Sequence, residues 1–183
     1  MAKLLTNKEI YEDYPEVYRI FFEDSDRKLN AQKYMDYCKD RGYFYVFVYG
    51  TLKTGESNHR VMESAGGELV DNVFVNGFTC INTPWYPYAV WDRNSKSLHG
   101  ELYKVPMSGL KQLDMLEGYP SLYNRDVVVA FGEGDNETRK ITLAWIYSTD
   151  WSSETNGYVE KYGTTNNWTT NNLTANNLTE RTK

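Results

Sequence analysis

Tyr43-Phe44-Tyr45-Val46-Phe47-Val48-Tyr49 runs apolar and aromatic without a break and ends at Gly50-Thr51-Leu52-Lys53. An uninterrupted run of this length is the pattern of a strand buried on both faces, because a strand with one wet face alternates instead. Working outward, further strands are predicted over Glu68–Gly77, His99–Val105, Asp126–Phe131 and Ile141–Ser148. Turns rich in Gly, Asn and Ser separate them, such as Asn94-Ser95-Lys96-Ser97 and Gly132-Glu133-Gly134-Asp135-Asn136. Within this body helices fit only at about Asn58–Ser64 and Ser108–Glu117. Many strands and few helices predict an α+β domain over 43–151, built on a small closed or nearly closed sheet.

Upstream, residues 1–42 carry helical signals. Thr6-Asn7-Lys8-Glu9 has the spacing of a capping box. Pro15 permits a new helix start, Asp24-Ser25-Asp26 another, and Gly42 a stop. Acidic and basic residues nearly balance there, so this helical extension is no basic arm. Packing on the main domain is the first reading and a protein partner for residues 1–42 the second. Downstream, residues 152–183 fade into an Asn/Thr repeat, Asn166-Asn167-Trp168-Thr169-Thr170 and onward, with one apolar residue per unit. That composition predicts a disordered tail.

Composition excludes several classes of function. The net charge of −5 and the lack of any Lys/Arg run argue against nucleic acid as a partner. No stretch approaches the length of a membrane span, and the first residues lack the apolar core of a signal peptide. With two distant cysteines, Cys38 and Cys80, the chain reads as cytoplasmic and without disulfides. The two histidines, His59 and His99, have no metal-type spacing, so no metal site is expected. Gly50-Thr51-Leu52-Lys53-Thr54-Gly55-Glu56-Ser57 nearly spells a phosphate loop, but Glu56 stands where the phosphate-neutralising lysine belongs. What survives is a glycine turn whose free amides can meet an anionic or carbonyl oxygen. There is no G-x-S-x-G elbow for a serine hydrolase. The aromatic content, 16 Tyr, 7 Phe and 5 Trp, suits an aromatic-lined cleft as well as an ordinary core.

Among the carboxylates one is oddly placed. On a helix turning about 100° per residue, Leu110 and Leu113 mark the apolar face and Glu117 falls between them. It is also the last residue before Gly118 and Pro120, which read as the helix stop. Burial and the negative end of the helix dipole both push such a carboxyl toward neutral pH, where proton transfer wants it. A glutamate turned outward at a frayed helix end is the competing reading. Asp114 and Glu101 are the weaker candidates.

Tyr49-Gly50-Thr51-Leu52-Lys53, with Gly55 and Asn58-His59-Arg60-Val61, resembles the opening motif of gamma-glutamylamine cyclotransferases and their gamma-glutamylcyclotransferase-like (AIG2-like) relatives. Tyr86-Pro87-Tyr88-Ala89-Val90, Gly100-Glu101-Leu102-Tyr103-Lys104-Val105, Leu113-Asp114-Met115-Leu116-Glu117 and Leu122-Tyr123-Asn124-Arg125 follow in the same order. The resemblance spans roughly residues 44–148. It implies a small mixed β-barrel flanked by short helices, with a cavity beside the Tyr-Gly-Thr-Leu turn and Glu117 in the position of the catalytic glutamate. It also implies cofactor-free release of 5-oxoproline from a small γ-glutamyl substrate. Tyr49, Gly50, Thr51 and Leu52 would hold that substrate. Tyr123 and Arg125 would shape or neutralise the pocket, or form a structural hydrogen-bonding pair. Tyr86 and Tyr88 would line it, or pack in the core. A non-catalytic ligand-binding or protein-interaction module on the same fold is the alternative.

Overall fold

The computed structural model describes residues 5–133 and 140–170. Its centre is a closed five-stranded barrel of β1 (Tyr43–Val48), β5 (Leu98–Pro106), β2 (Glu68–Val75), β6 (Asn124–Gly132) and β7 (Ile141–Ser148), in that order. All neighbours are antiparallel except β1 and β7, which close the barrel in parallel at Val46 opposite Trp145. Strands on both sides of that seam are buried on both faces, as the unbroken apolar run predicts. Along β1, Phe44, Val46 and Val48 enter one hydrophobic core while Phe47 enters another. Along β7, Leu143 and Trp145 go to the first, Ala144 and Ile146 to the second. The period of two is that of a pleated strand.

The first core is shared with the N-terminal helices. Thr6 and Glu9 form the predicted capping box at the head of α1 (Asn7–Asp13). Pro15 opens α2 (Pro15–Val17), which runs into one π-helical turn at Tyr18–Phe22. Asp26 caps α3 (Arg27–Arg41) by accepting from the Lys28 and Leu29 amides, and Gly42 ends it at φ 78°. That left-handed geometry is one that glycine adopts at little cost. Asn30, Tyr34 and Cys38, four residues apart, make the buried stripe of α3. The Tyr34 hydroxyl donates to Leu143 O (2.8 Å) and accepts from Tyr45 N (3.1 Å), bridging β1 and β7 where the barrel closes.

Two features depart from the sequence expectation. The segment between β2 and β5 holds a hairpin, β3 (Phe78–Ile81) with β4 (Tyr88–Trp91), that begins a second three-stranded sheet. Its third strand is β8 (Thr164–Thr165), paired with Ile81 and Cys80. Where composition predicts a tail from residue 152, the chain instead forms α6 (Ser153–Tyr162), started by a Ser152/Thr155 capping box. It then passes through β8 to Trp168, which is fully buried in the second core. Residues 171–183, with the later Asn/Thr repeats, lie outside the described residues. The two short helices of the body are α4 (His59–Ser64) and α5 (Leu110–Glu117), the latter led in by a 3-10 turn at Met107–Gly109.

Candidate active site

β1 runs straight into the glycine turn, and a cavity of about 280 Å³ opens beside it. Tyr49, Gly50, Thr51 and Leu52 line one side, and Tyr86 and Pro87 another. The end of α5, with Leu116 and Glu117, and the following Leu122 and Tyr123 complete the wall, together with Asn58 and Tyr147.

The turn has a simple hydrogen-bond account. Gly50 O accepts from Lys53 N (3.1 Å) and Thr51 O from Asn58 N (2.9 Å), while Leu52 O lies 3.1 Å from His59 Nδ1. Asn58 Nδ2 adds a bond to Thr51 Oγ1 at 3.0 Å. All three carbonyls are thus taken. Among the described residues, the N–H groups of Gly50, Thr51 and Leu52 donate to no protein acceptor. Free amides in succession at a turn make a cradle for an anionic or carbonyl oxygen.

Glu117 faces this cradle from α5. Leu113 on the same helix is fully buried and fixes the helix against the core, and Gly118 at φ 62° ends it directly after Glu117. Glu117 keeps a partial opening toward the cavity, yet burial raises its pKa from 4.5 to about 7. Its carboxyl has no hydrogen-bond partner among the described residues to hold the charge. The competing picture of an outward-turned glutamate does not apply.

The tyrosines are walls more than donors. Tyr49 donates its hydroxyl to Tyr147 O (2.8 Å), Tyr123 to Pro87 O (2.9 Å) and Tyr147 to Asp114 Oδ1 (2.7 Å). Burial first, then neighbouring charges including Glu117, pushes all three phenols above their ordinary range. Glu117 is therefore the cavity group moved toward neutrality. Tyr88 packs edge-on against Tyr86 and does not line the cavity.

Arg125 is the sequence candidate that the structure leaves out of the cavity. Its guanidinium lies over the rings of Tyr119 and Trp145, at 4.3 and 5.1 Å, with Nε 3.4 Å from Asp114 Oδ1. Nor do Tyr123 and Arg125 bond to each other; Tyr123 is committed to Pro87. The weaker carboxylates also have structural partners. Glu101 accepts from Thr54 N, Thr54 Oγ1 and Tyr103 Oη, which anchors the loop after the turn, and Asp114 holds Tyr147. Sequence reasoning missed Asn58, Pro87, Leu116, Leu122 and Tyr147 as lining residues. Asn58, Pro87, Leu116 and Leu122 stand inside the family-like motifs, which is the signal that could have found them; Tyr147 is one position of an apolar strand and carries no local mark. Among the described residues no group of three His, Cys, Asp or Glu is placed to hold a metal ion.

Residues 46–169 match the family described as gamma-glutamyl cyclotransferase, AIG2-like. The chain belongs to this family. It is 32% identical over 117 residues to the gamma-glutamylaminecyclotransferase of Mus musculus, an alignment covering 57% of this chain and 77% of that one. Gamma-glutamylaminecyclotransferase A of Danio rerio is 30% identical over 122 residues, covering 58% and 72%. The crystal structure of an AIG2-like protein from Mus musculus superposes with a TM-score of 0.54 at 24% identity, over 61% of this chain and 81% of that one. The AIG2-like fold is thus shared, and the N-terminal helices lie ahead of the matched residues.

The close packing at the turn gives a first prediction. A Cβ on Gly50 would sit 2.7 Å from Pro87 Cγ and 3.1 Å from its Cδ. Gly50→Ala must therefore displace Pro87, whose carbonyl holds Tyr123. Overpacking of this kind costs about 1–3 kcal/mol. Urea denaturation of Gly50→Ala should show that loss, and an unchanged midpoint would mean that Pro87 yields freely.

Proposed function

We propose that this AIG2-like chain is a cyclotransferase that releases 5-oxoproline and a free amine from a γ-glutamyl amine or related γ-glutamyl compound. The observation that carries this reading is the pairing, across one small cavity, of a desolvated carboxyl at Glu117 with three unpartnered amides at Gly50, Thr51 and Leu52. The substrate's α-amine attacks its own γ-carbonyl carbon and closes a five-membered ring. The bond from that carbon to the leaving nitrogen then breaks. Glu117 takes the proton that the attacking nitrogen sheds and delivers it to the departing one, so protons balance and nothing is oxidised or reduced.

Each part of the cavity has a task in that sequence. The amide cradle receives the glutamyl carboxylate or the oxygen on which charge develops. Tyr49, Tyr86 and Tyr123 enclose the glutamyl chain and hold it folded. Nucleophile and electrophile belong to one molecule, so orientation alone is worth on the order of 7–11 kcal/mol when fully exploited. A carboxyl that titrates near pH 7 can serve as base and then as acid in one turnover. The chemistry calls on no metal or organic cofactor.

Incubation with a panel of γ-glutamyl amines, γ-glutamyl peptides and glutathione, with mass spectrometry for 5-oxoproline, tests the reading. At least one compound should be turned over, and the rate should survive EDTA and dialysis. Tight binding of a γ-glutamyl compound with no turnover of any would favour the non-catalytic module. Loss on chelation with recovery by zinc would overturn the cofactor-free mechanism.

A further inference from the structure

A second cleft, separate from the active-site cavity, lies between α3 and the barrel. Arg27, Lys28, Gln32 and Met35 of the extension form one wall, with Arg125 and Trp145 of the barrel opposite. The helical wall precedes residue 46, so it lies outside the part of the chain that matches the family.

The cleft's carboxylates and cations balance in number, but they are not evenly paired. Asp26 is engaged by the first amides of α3. Asp126 takes Arg27 Nε at 3.1 Å, a second Arg27 nitrogen and the Ser148 hydroxyl. Asp150 accepts from Asn124 Nδ2 at 3.4 Å. Every carboxylate here has a partner; among the cations, Lys28 has none, and Arg125 has an ion pair and two ring contacts but no hydrogen bond. Lys28 is exposed on the helical wall and makes no hydrogen bond or ion pair through its ammonium among the described residues.

Arg125 is the sharper case. Its side chain is only 10% exposed, and neither Nε nor Nη1 has a hydrogen-bond partner. Nη2, the guanidinium nitrogen that is not enclosed, likewise donates to no protein acceptor among the described residues. Asp114 is near, but its Oδ1 already takes the Tyr147 hydroxyl at 2.7 Å, and the 3.4 Å contact to Nε is an ion pair without a hydrogen bond. Trp145 Nε1, on the same wall, is a second buried donor without an acceptor. A guanidinium stays charged and carries five N–H donors in a fixed fork. Leaving buried donors of that fork unmatched is costly, and Nη2, the nitrogen that is not enclosed, is the one that an oxyanion in the cleft would meet.

We propose that this cleft binds the oxyanion of a small metabolite, a carboxylate or phosphate group, on Arg125 with Lys28 on the facing wall. The extension, on this view, builds half of a ligand site that the matched domain alone lacks.

Nitrogen-15 NMR on the full chain provides a local readout through the side-chain N–H signals of Arg125 and Trp145. Sodium acetate and sodium phosphate are titrated separately against sodium chloride at constant ionic strength. One saturable shift of the Arg125 signal is expected, and which anion saturates first separates carboxylate from phosphate. Lys28→Glu, on an exposed helix position, should weaken that binding by about tenfold or more. Arg125→Met should abolish the Trp145 response; if that variant does not fold, Lys28→Glu decides alone. The proposal is overturned if neither anion moves these signals beyond chloride, or if Lys28→Glu binds as the parent does.

Discussion

Glu117→Gln should lower 5-oxoproline formation by roughly a hundred- to ten-thousand-fold, the range that a positioned acid–base group supplies. The substitution keeps the shape of the side chain and removes the titrating proton. Substrate affinity should persist, because the amides of Gly50, Thr51 and Leu52 are untouched. The wild-type rate should rise with pH through about 7, where Glu117 becomes a base, and the variant should lose that limb. Stability supplies an independent readout with the opposite sign to the usual carboxylate. The folded pKa lies above the unfolded one, so the folded state holds its proton longer. Deprotonation therefore costs folding free energy progressively from about pH 4.5 to 7, and the full cost stands above 7. Relieving it should make Glu117→Gln the more stable protein at pH 8, by up to about 3 kcal/mol, with the gap closing toward pH 4. Glu101→Gln and Asp114→Asn disturb carboxylates committed to Thr54 and Tyr147, so their kinetic effects should be milder. A near-normal single-turnover rate for Glu117→Gln, beside an inactive neighbour variant, would remove Glu117 from the mechanism.

What sequence could show of this site follows from how local the signals are. Glu117 was legible because helical spacing is rigid: Leu110 and Leu113 fix a face, and a carboxyl between them has few places to go. The barrel strands were legible because β1 and β7 bury both faces and must stay apolar throughout. β3 and β4 were not, since each is four residues long and the Asn82-Thr83-Pro84-Trp85 link between them reads as loop. Arg125 shows a different limit. Its place beside Tyr123 in sequence suggested a shared role, yet the chain enters β6 between them, leaving Tyr123 on the cavity and Arg125 over Trp145. The Asn/Thr repeat misled for the opposite reason. Its periodicity is compositional, whereas the fate of Trp168 depends on a space between two sheets that no local pattern encodes.

Trp168→Ala should cost about 3–5 kcal/mol of stability, the usual range when a large buried aromatic is removed. The indole is fully buried in the core that also holds Phe47, Tyr49, Val75, Phe78 and Leu98, so truncation opens a void that barrel and second sheet cannot both close. Its N–H finds no acceptor, which trims the native gain but leaves the packing term dominant. The backbone around it is equally committed. His99 N donates to Asn166 O at 2.8 Å, Thr170 N donates to Glu56 at 3.2 Å, and the buried Lys53 ammonium donates to Trp168 O. Ending the chain at Tyr162 should therefore do more than Trp168→Ala. It removes the carbonyl that satisfies Lys53, whose pKa burial already lowers, directly beside the glycine turn. The comparison is with a chain ending at Thr170, so that the difference reports residues 163–170 alone. Both variants should melt earlier than that reference, and any surviving turnover should show a raised KM before a lowered kcat, because the loosened part is the amide cradle and not Glu117. A Trp168→Ala chain within about 1 kcal/mol of the reference would mean that the second core closes around the void, well below the ordinary cost of such a cavity.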